Sequence, residues 1–293
     1  MKRKVVALML VSAMTLSLTA CGSSASSSSE TSTESSEASS ETEESTSEAS
    51  SEESSVASGA ADGVLTVGFD AEYPPYGYMG DDGEYTGFDL ELAQAVCDLE
   101  GWELVKTPIN WDSKDMELNS GSIDCIWNGF TRNGREDDYT FSISYIDNSQ
   151  VIVVAKDSGI TSFADLAGKV VGVQQASAAL DVLQGDQADL TATFADLQQF
   201  SDYNTAFTEL QSGALQALAI DVGVAKYQIE SRGDGYMILD ETLNSEEYAV
   251  GCRKGDTELA DKLSEDIKKL YEDGTVTELA EKYDIADMIA IED

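Results

Sequence analysis

The chain has 293 residues, with 17 basic against 56 acidic side chains, a formal net charge of −39 and no histidine. Such a balance argues against nucleic acid and anionic lipid as partners, because both would be repelled. The absence of histidine excludes Ser-His-Asp and Cys-His catalysis and every histidine-ligated metal site. No Walker-type loop, Gly-x-Gly-x-x-Gly or EF-hand run occurs, so neither cofactor nor metal is expected.

In chain order, Lys2, Arg3 and Lys4 precede an apolar stretch over residues 5–18. A charged start and a short apolar middle read as an export signal over residues 1–20. About fourteen residues at ~1.5 Å each fall short of a ~30 Å hydrocarbon core, which argues against a permanent span. Leu18-Thr19-Ala20-Cys21-Gly22 resembles the bacterial lipobox, which implies a diacylglycerylated Cys21 as the mature N-terminus. Two acyl chains make physical sense of an anchor, since one chain at ~0.8 kcal/mol per buried CH₂ binds only marginally. Residues 21–62 are almost wholly Ser, Thr, Glu and Ala. They cannot bury enough apolar surface to offset the entropy of ordering and are expected to form an extended, self-repelling tether. Setting aside three positive charges in the signal and ten negative ones in the tether, residues 63–293 still carry −32. Beyond Cys21, Cys97, Cys125 and Cys252 fit neither a disulfide framework nor a zinc pattern; at most one pair could form.

The remaining ~230 residues can bury a large core. Residues 65–69 read as a buried strand, and Asp81-Asp82-Gly83-Glu84 as a turn. Residues 88–100 read as a helix with Leu92, Val96 and Leu99 on one stripe and Gly101 as its stop. Extended pieces follow at 102–109, 124–128 and 150–155. The pattern then restarts with strands at 169–174, 192–194 and 215–220, alternating with helices near 162–166, 177–183, 203–212 and 222–230. A strand at 247–253 leads into a helix capped by Asp256, buried through Leu259, Leu263, Ile267 and Leu270 and ended by Gly274. Thr275-Val276-Thr277-Glu278 has the form of a capping box for one more helix. Alternation of this kind gives an α/β class with mostly parallel sheets, in two series that suggest two lobes.

Val67-Gly68-Phe69-Asp70-Ala71-Glu72-Tyr73-Pro74-Pro75-Tyr76 and Gly87-Phe88-Asp89-Leu90-Glu91-Leu92-Ala93 are the first of several ordered strings. Asn128-Gly129-Phe130-Thr131, then Arg135, Phe141-Ser142, and Asp273-Gly274-Thr275 through Lys282-Tyr283 complete them. Together they resemble the polar amino acid-binding proteins of ABC importers over residues 64–285. The resemblance implies a type II periplasmic binding protein fold, two lobes joined by two extended crossovers that close on a solute by hinge bending. On that reading lobe 1 comprises 63–149 and 249–293, and lobe 2 comprises 150–248.

A free amino acid needs a carboxylate trap, an ammonium trap and a side-chain pocket. For the carboxylate the resemblance points to Arg135, assisted by the backbone at Gly129 and the hydroxyl of Thr131, with Arg132 a competing guanidinium. Ser177, at a strand-to-helix turn, adds a helix N-terminus; Ala176 stands where the family prefers glycine. For the ammonium it points to Asp221 at the end of a parallel strand, although an N-cap role is equally good local chemistry. Tyr73 and Trp111 match aromatic positions that sandwich the ligand, and Asp70 is placed to read its side chain.

The expected function is therefore capture of a polar L-amino acid, without chemistry, by a monomeric lipid-anchored receptor. It would deliver that ligand to ABC permease subunits at the outer face of the cytoplasmic membrane, on a Gram-positive-type surface. Rival readings are a carboxylic-acid dehydratase on the same scaffold, limited here to carboxylates, Tyr or Lys as acid and base, and a ligand-sensing receptor domain.

Overall fold

Val64–Phe69 forms β1, which buries Leu65, Val67 and Phe69 and ends at Asp70. The computed structural model describes residues 59–291, so the expected signal and Cys21 lie outside it. Gly59–Asp62, the last four residues of the Ser/Glu-rich stretch, form a 3-10 turn. A small three-stranded sheet follows: β2 (Glu72–Tyr73), β3 (Gly77–Met79) and β4 (Tyr85–Thr86). The acidic run between β3 and β4 is a turn, closed by Gly80 N–H donating to the Glu84 carbonyl and Glu84 N–H to the Asp82 carboxylate.

Helix α1 (Phe88–Glu100) ends at Gly101 in the left-handed conformation, φ 72°. Its buried face is Phe88, Leu92, Ala93, Val96 and Cys97; Leu99 is exposed, because the helix meets the core on a narrower stripe than its spacing suggests. Then come β5 (Glu103–Pro108), α2 (Lys114–Ser120), β6 (Cys125–Ile126) and the 17-residue β7 (Tyr139–Ala155). The next series is β8 (Val170–Gln174), α3 (Ala178–Gln184), α4 (Ala188–Thr191), β9 (Asp196–Phe200), α5 (Tyr203–Ser212), β10 (Ala217–Asp221) and α6 (Val222–Arg232). The 18-residue β11 (Tyr236–Arg253), α7 (Thr257–Glu272) and α8 (Thr275–Lys282) complete the chain.

The strand expected at 192–194 is displaced: β9 lies at Asp196–Phe200, beyond the short α4. β9 is an edge strand, with polar, exposed positions that carry no apolar signal. The capping box at Thr275 is also not formed. Thr275 is the first helical residue, its N–H is taken by the Asp273 carboxylate, and Gly274 occupies the cap at φ 92°. Asp256 does cap α7, accepting from the Leu259 N–H.

The main sheet runs β5-β1-β6-β11-β7-β10-β8-β9. Three parallel strands stand at each side, and β7 and β11 pair antiparallel between them. These two long strands are the crossovers that join the two α/β halves. Their register slips between Ile238 and Thr242, Thr242 and Asn244, and again around Ala249, so the pairing is irregular where the chain passes from one half to the other. Cys97, Cys125 and Cys252 are buried free thiols, with Cys125 opposite Cys252 on neighbouring strands. Among the described residues no helix is long and apolar enough to cross a membrane, and no cluster of His, Cys, Asp or Glu could hold a metal.

Candidate ligand-binding site

β1, β8 and β10 end on one cleft between the halves, the place where parallel sheets present ligands. Tyr73, Trp111 and Arg135 line it from the first half, with the 128–131 loop between them; Gln174, Ser177 and Asp221 line it from the second. The cleft encloses only about 10 Å³, room for about one water. Contacts across it hold the halves together. Gln174 Nε2 donates to Asp70 Oδ2 at 2.6 Å, Lys114 Nζ to the Ala176 carbonyl at 3.3 Å, and Asn204 to Glu72. An amino acid therefore reaches this cleft only when the halves separate.

Arg135 lies in the cleft wall, over the Phe130 ring at 5.1 Å, with Nη1 donating to the Thr131 carbonyl and Nη2 paired to Asp181 of α3 at 2.8 Å. Arg132 is turned away, toward Ser144 and Glu247. The guanidinium that faces the cleft is thus Arg135, and a carboxylate already sits on one of its edges.

Gly129 and Thr131 differ from expectation. The Gly129 N–H donates to Asp89 at 2.5 Å and the Thr131 hydroxyl to Glu246 at 2.8 Å, so both donors are held by buried carboxylates. Gly129 matters sterically instead: at φ 54°, a Cβ there would lie 2.9 Å from Tyr73 and 3.0 Å from Tyr248. Asp89, fully buried, receives that N–H together with the Tyr145 hydroxyl and so ties the 128–131 loop to α1.

Ser177 caps α3, accepting from the Leu180 N–H and donating to the Gln174 carbonyl. The preceding Ala176 takes the left-handed φ of 53° that glycine would favour. The loop thus keeps the glycine shape at a cost of about 1 kcal/mol. Ala176→Gly should raise stability by about that amount in denaturant unfolding; a loss would show that the side chain's packing outweighs the strain.

Asp221 stands at the N-cap position of α6 yet makes no side-chain cap bond. Its Oδ1 accepts from Asn148 Nδ2 at 2.9 Å, Gln150 Nε2 at 2.6 Å and the Tyr248 hydroxyl at 2.6 Å. The carboxylate is thus turned inward to the site rather than to the helix. Burial, then the charge of Glu246, pushes it up to about 6. Asp70 accepts from the Glu72 N–H and Gln174 and is raised by burial to about 6, and burial raises Asp89 to about 7. Tyr73 and Trp111 lie with rings nearly parallel, 7° apart, and centroids 6.5 Å apart.

Those three carboxyls titrate well above the 3.8 usual for Asp, so between about pH 4 and 7 the folded chain binds more protons than the unfolded one. Stability is then full below about pH 4 with respect to these groups and is lost as pH rises through 6–7, each contributing on the order of 3 kcal/mol. Tm without added solute should fall between pH 5 and pH 8. A rising profile would mean that other groups dominate.

Sequence reasoning missed Asn128, Asn148, Gln150, Gln174, Asp181, Glu246 and Tyr248. Asn128 holds the Asp70 N–H through Oδ1, and its Nδ2 is buried without a partner. Of these, Asn128 left a signal inside a string that resembles the family, and Tyr248 one by standing two before the buried Val250 on the same strand.

Two α/β halves on paired crossover strands, with a polar cleft between them, have the architecture of the type II periplasmic binding proteins. The chain belongs to the bacterial extracellular solute-binding proteins, family 3, whose model matches residues 65–285. It is 31% identical over 229 residues to the L-cystine-binding protein TcyJ of Escherichia coli (strain K12), covering 77% of this chain and 84% of that protein. A solved ABC uptake transporter substrate-binding protein from Streptococcus pneumoniae with bound histidine is 36% identical. Its TM-score is 0.76, over 79% of this chain and 96% of that one. The ancestral amino acid-binding protein AncCDT-1, a precursor of cyclohexadienyl dehydratase, is 30% identical with TM-score 0.70, over 76% and 96% of the two chains.

Proposed function

We propose that this chain is the substrate-binding component of an ABC amino acid importer and releases its ligand unchanged. The observation that carries this is the placing of Arg135 and Asp221 in one cleft, a guanidinium and a carboxylate for the two charged ends of an amino acid. Relatives named for cystine binding, or solved with histidine, support a polar amino acid as the solute. In this reading Arg135 takes the carboxylate, with Ser177 and Thr131 fixing the loops beside it. Asp221 takes the ammonium, Tyr73 and Trp111 flank the side chain, and Asp70 reads its tip. Gly129 lets the aromatic wall close. Lobe 1 is 63–149 with 249–293, lobe 2 is 150–248, and the halves part by bending at β7 and β11.

The dehydratase alternative is favoured only by the likeness to AncCDT-1, itself described as an amino acid-binding protein. The remaining parts of the reading are a monomer, held outside the cytoplasmic membrane by lipid on Cys21, that docks on a permease in that membrane. Cys21→Ala should release the protein from the membrane fraction into the medium, and retention would refute the anchor. The two-ended site is tested by thermal melts with whole amino acids against analogues lacking either the amino or the carboxyl group. Only compounds with both should raise Tm; equal shifts from one-ended analogues would overturn it.

A further inference from the structure

Asp221 shares its donors with a second buried carboxylate. Asn148 Nδ2 lies 2.9 Å from Asp221 Oδ1 and 2.8 Å from Glu246 Oε1, and Gln150 Nε2 lies 2.6 and 2.7 Å from the same two oxygens. Thr131 also donates to Glu246 Oε1, and Asn244 to its Oε2. The shared amides keep the two acids within roughly 5 Å, where like charges cost about 3 kcal/mol at an effective dielectric near 20.

Among the described residues no basic side chain offsets that charge. Among the described residues neither acid has an ion-pair partner. The other titratable groups around Asp221 include the tyrosines Tyr73 on β2, Tyr76 after it, Tyr203 on α5 and Tyr248 on β11, while Asp147, Glu247 and Asp287 border the same hollow as Glu246 and add negative charge. Burial raises all four tyrosines, so none supplies a charge at neutral pH. The amides are equally one-sided. All their N–H groups face the two acids, while Asn148 Oδ1 and Gln150 Oε1 are buried with no donor. Acceptors outnumber the amide N–H groups in the cluster, and among the described residues it holds no positive charge.

We propose that Asp221, with Glu246 held beside it by the shared amides, forms the ammonium end of the site and carries a proton that the incoming ammonium displaces, so that capture is coupled to proton release. This rests on the amino acid-binding reading above. The balance is simple: a carboxyl O–H gives its proton to the buffer, and the resulting carboxylate pairs with the ligand's –NH₃⁺. The charge of Glu246 adds to burial in holding that proton on Asp221, and because Glu246 lies on crossover β11 it ties the proton to the hinge.

The test is calorimetric titration of the full chain at pH 5.5 in two buffers of different ionisation enthalpy. The probe is whichever of the twenty standard L-amino acids or L-cystine raises Tm most. Wild type should release most of one proton per molecule bound, and its affinity should weaken about fourfold from pH 7.5 to pH 5.5. Glu246→Gln, which removes the repulsion but leaves Asp221 buried, should release a smaller fraction of a proton and show a shallower profile. Its difference from wild type cancels any proton the probe itself carries. Wild type binding without proton release overturns the inference, as does release undiminished in Glu246→Gln. Failure of every amino acid to bind would instead sink the parent reading.

Discussion

Arg135→Ala abolishes the rise in Tm that an amino acid ligand produces, while leaving the unliganded protein nearly as stable as wild type. The two halves of that result have separate causes. A ligand carboxylate drawn into a cleft of this size loses its water, and without the guanidinium nothing in the first half replaces it. Truncating one partner of a buried charge pair costs about 2–5 kcal/mol, roughly 30- to several-thousand-fold in affinity. Stability changes little because the partner Arg135 has in the unliganded protein, Asp181, has a side chain 64% exposed, and such pairs contribute at most about 1 kcal/mol. Arg135→Lys keeps the charge but not the planar fork and should recover only part of the binding. An alanine variant whose Tm still rises as in wild type would remove Arg135 from the site.

Gly223→Ala weakens binding at least tenfold without unfolding the protein. Gly223 lies in the first turn of α6, and a Cβ there would stand 2.2 Å from the hydroxyl of Tyr76 and 3.1 Å from its ring. Tyr76 is fully buried and belongs to the other half, so it cannot swing aside. The halves must stay apart by an ångström or more. Within the helix itself alanine is preferred over glycine by about 1 kcal/mol, so local stability should not suffer. Small-angle scattering with saturating ligand should show a larger radius for Gly223→Ala than for wild type. Tyr76→Phe in the same background should restore part of the affinity, since it removes the nearest atom. Unchanged affinity would mean that the approach of Gly223 to Tyr76 has no part in closure.

Much of this architecture could be read from sequence, and for identifiable reasons. Helices α1, α5 and α7 carry their own punctuation: Gly101, the Asp202 and Asp256 caps, Gly213, and apolar stripes of helical period. β7 and β11 could be read only at their apolar ends. Their middles, Asp147-Asn148-Ser149 and Asn244-Ser245-Glu246, are polar, because there the strands border a 350 Å³ hollow and supply side chains that bond Asp221 and Glu246. The site divided along the same line. Arg135 and Tyr73 sit in strings that resemble a family, and Asp221 at a strand end to which that resemblance points. Glu246 reads as one more acid in a chain of 56, and only the fold shows that it shares Asn148 and Gln150 with Asp221. Pairing across β7 and β11 is a tertiary fact that no local pattern records.

The most direct test of the central claim is titration of the protein with each standard L-amino acid and L-cystine near pH 7.5, followed by chromatography of the recovered compound. One or a few should bind at one site per chain and return unchanged, raising Tm by roughly 5–10 °C at a hundredfold excess over Kd. No binding from any of them, or a recovered compound that has been converted to product, would contradict the account.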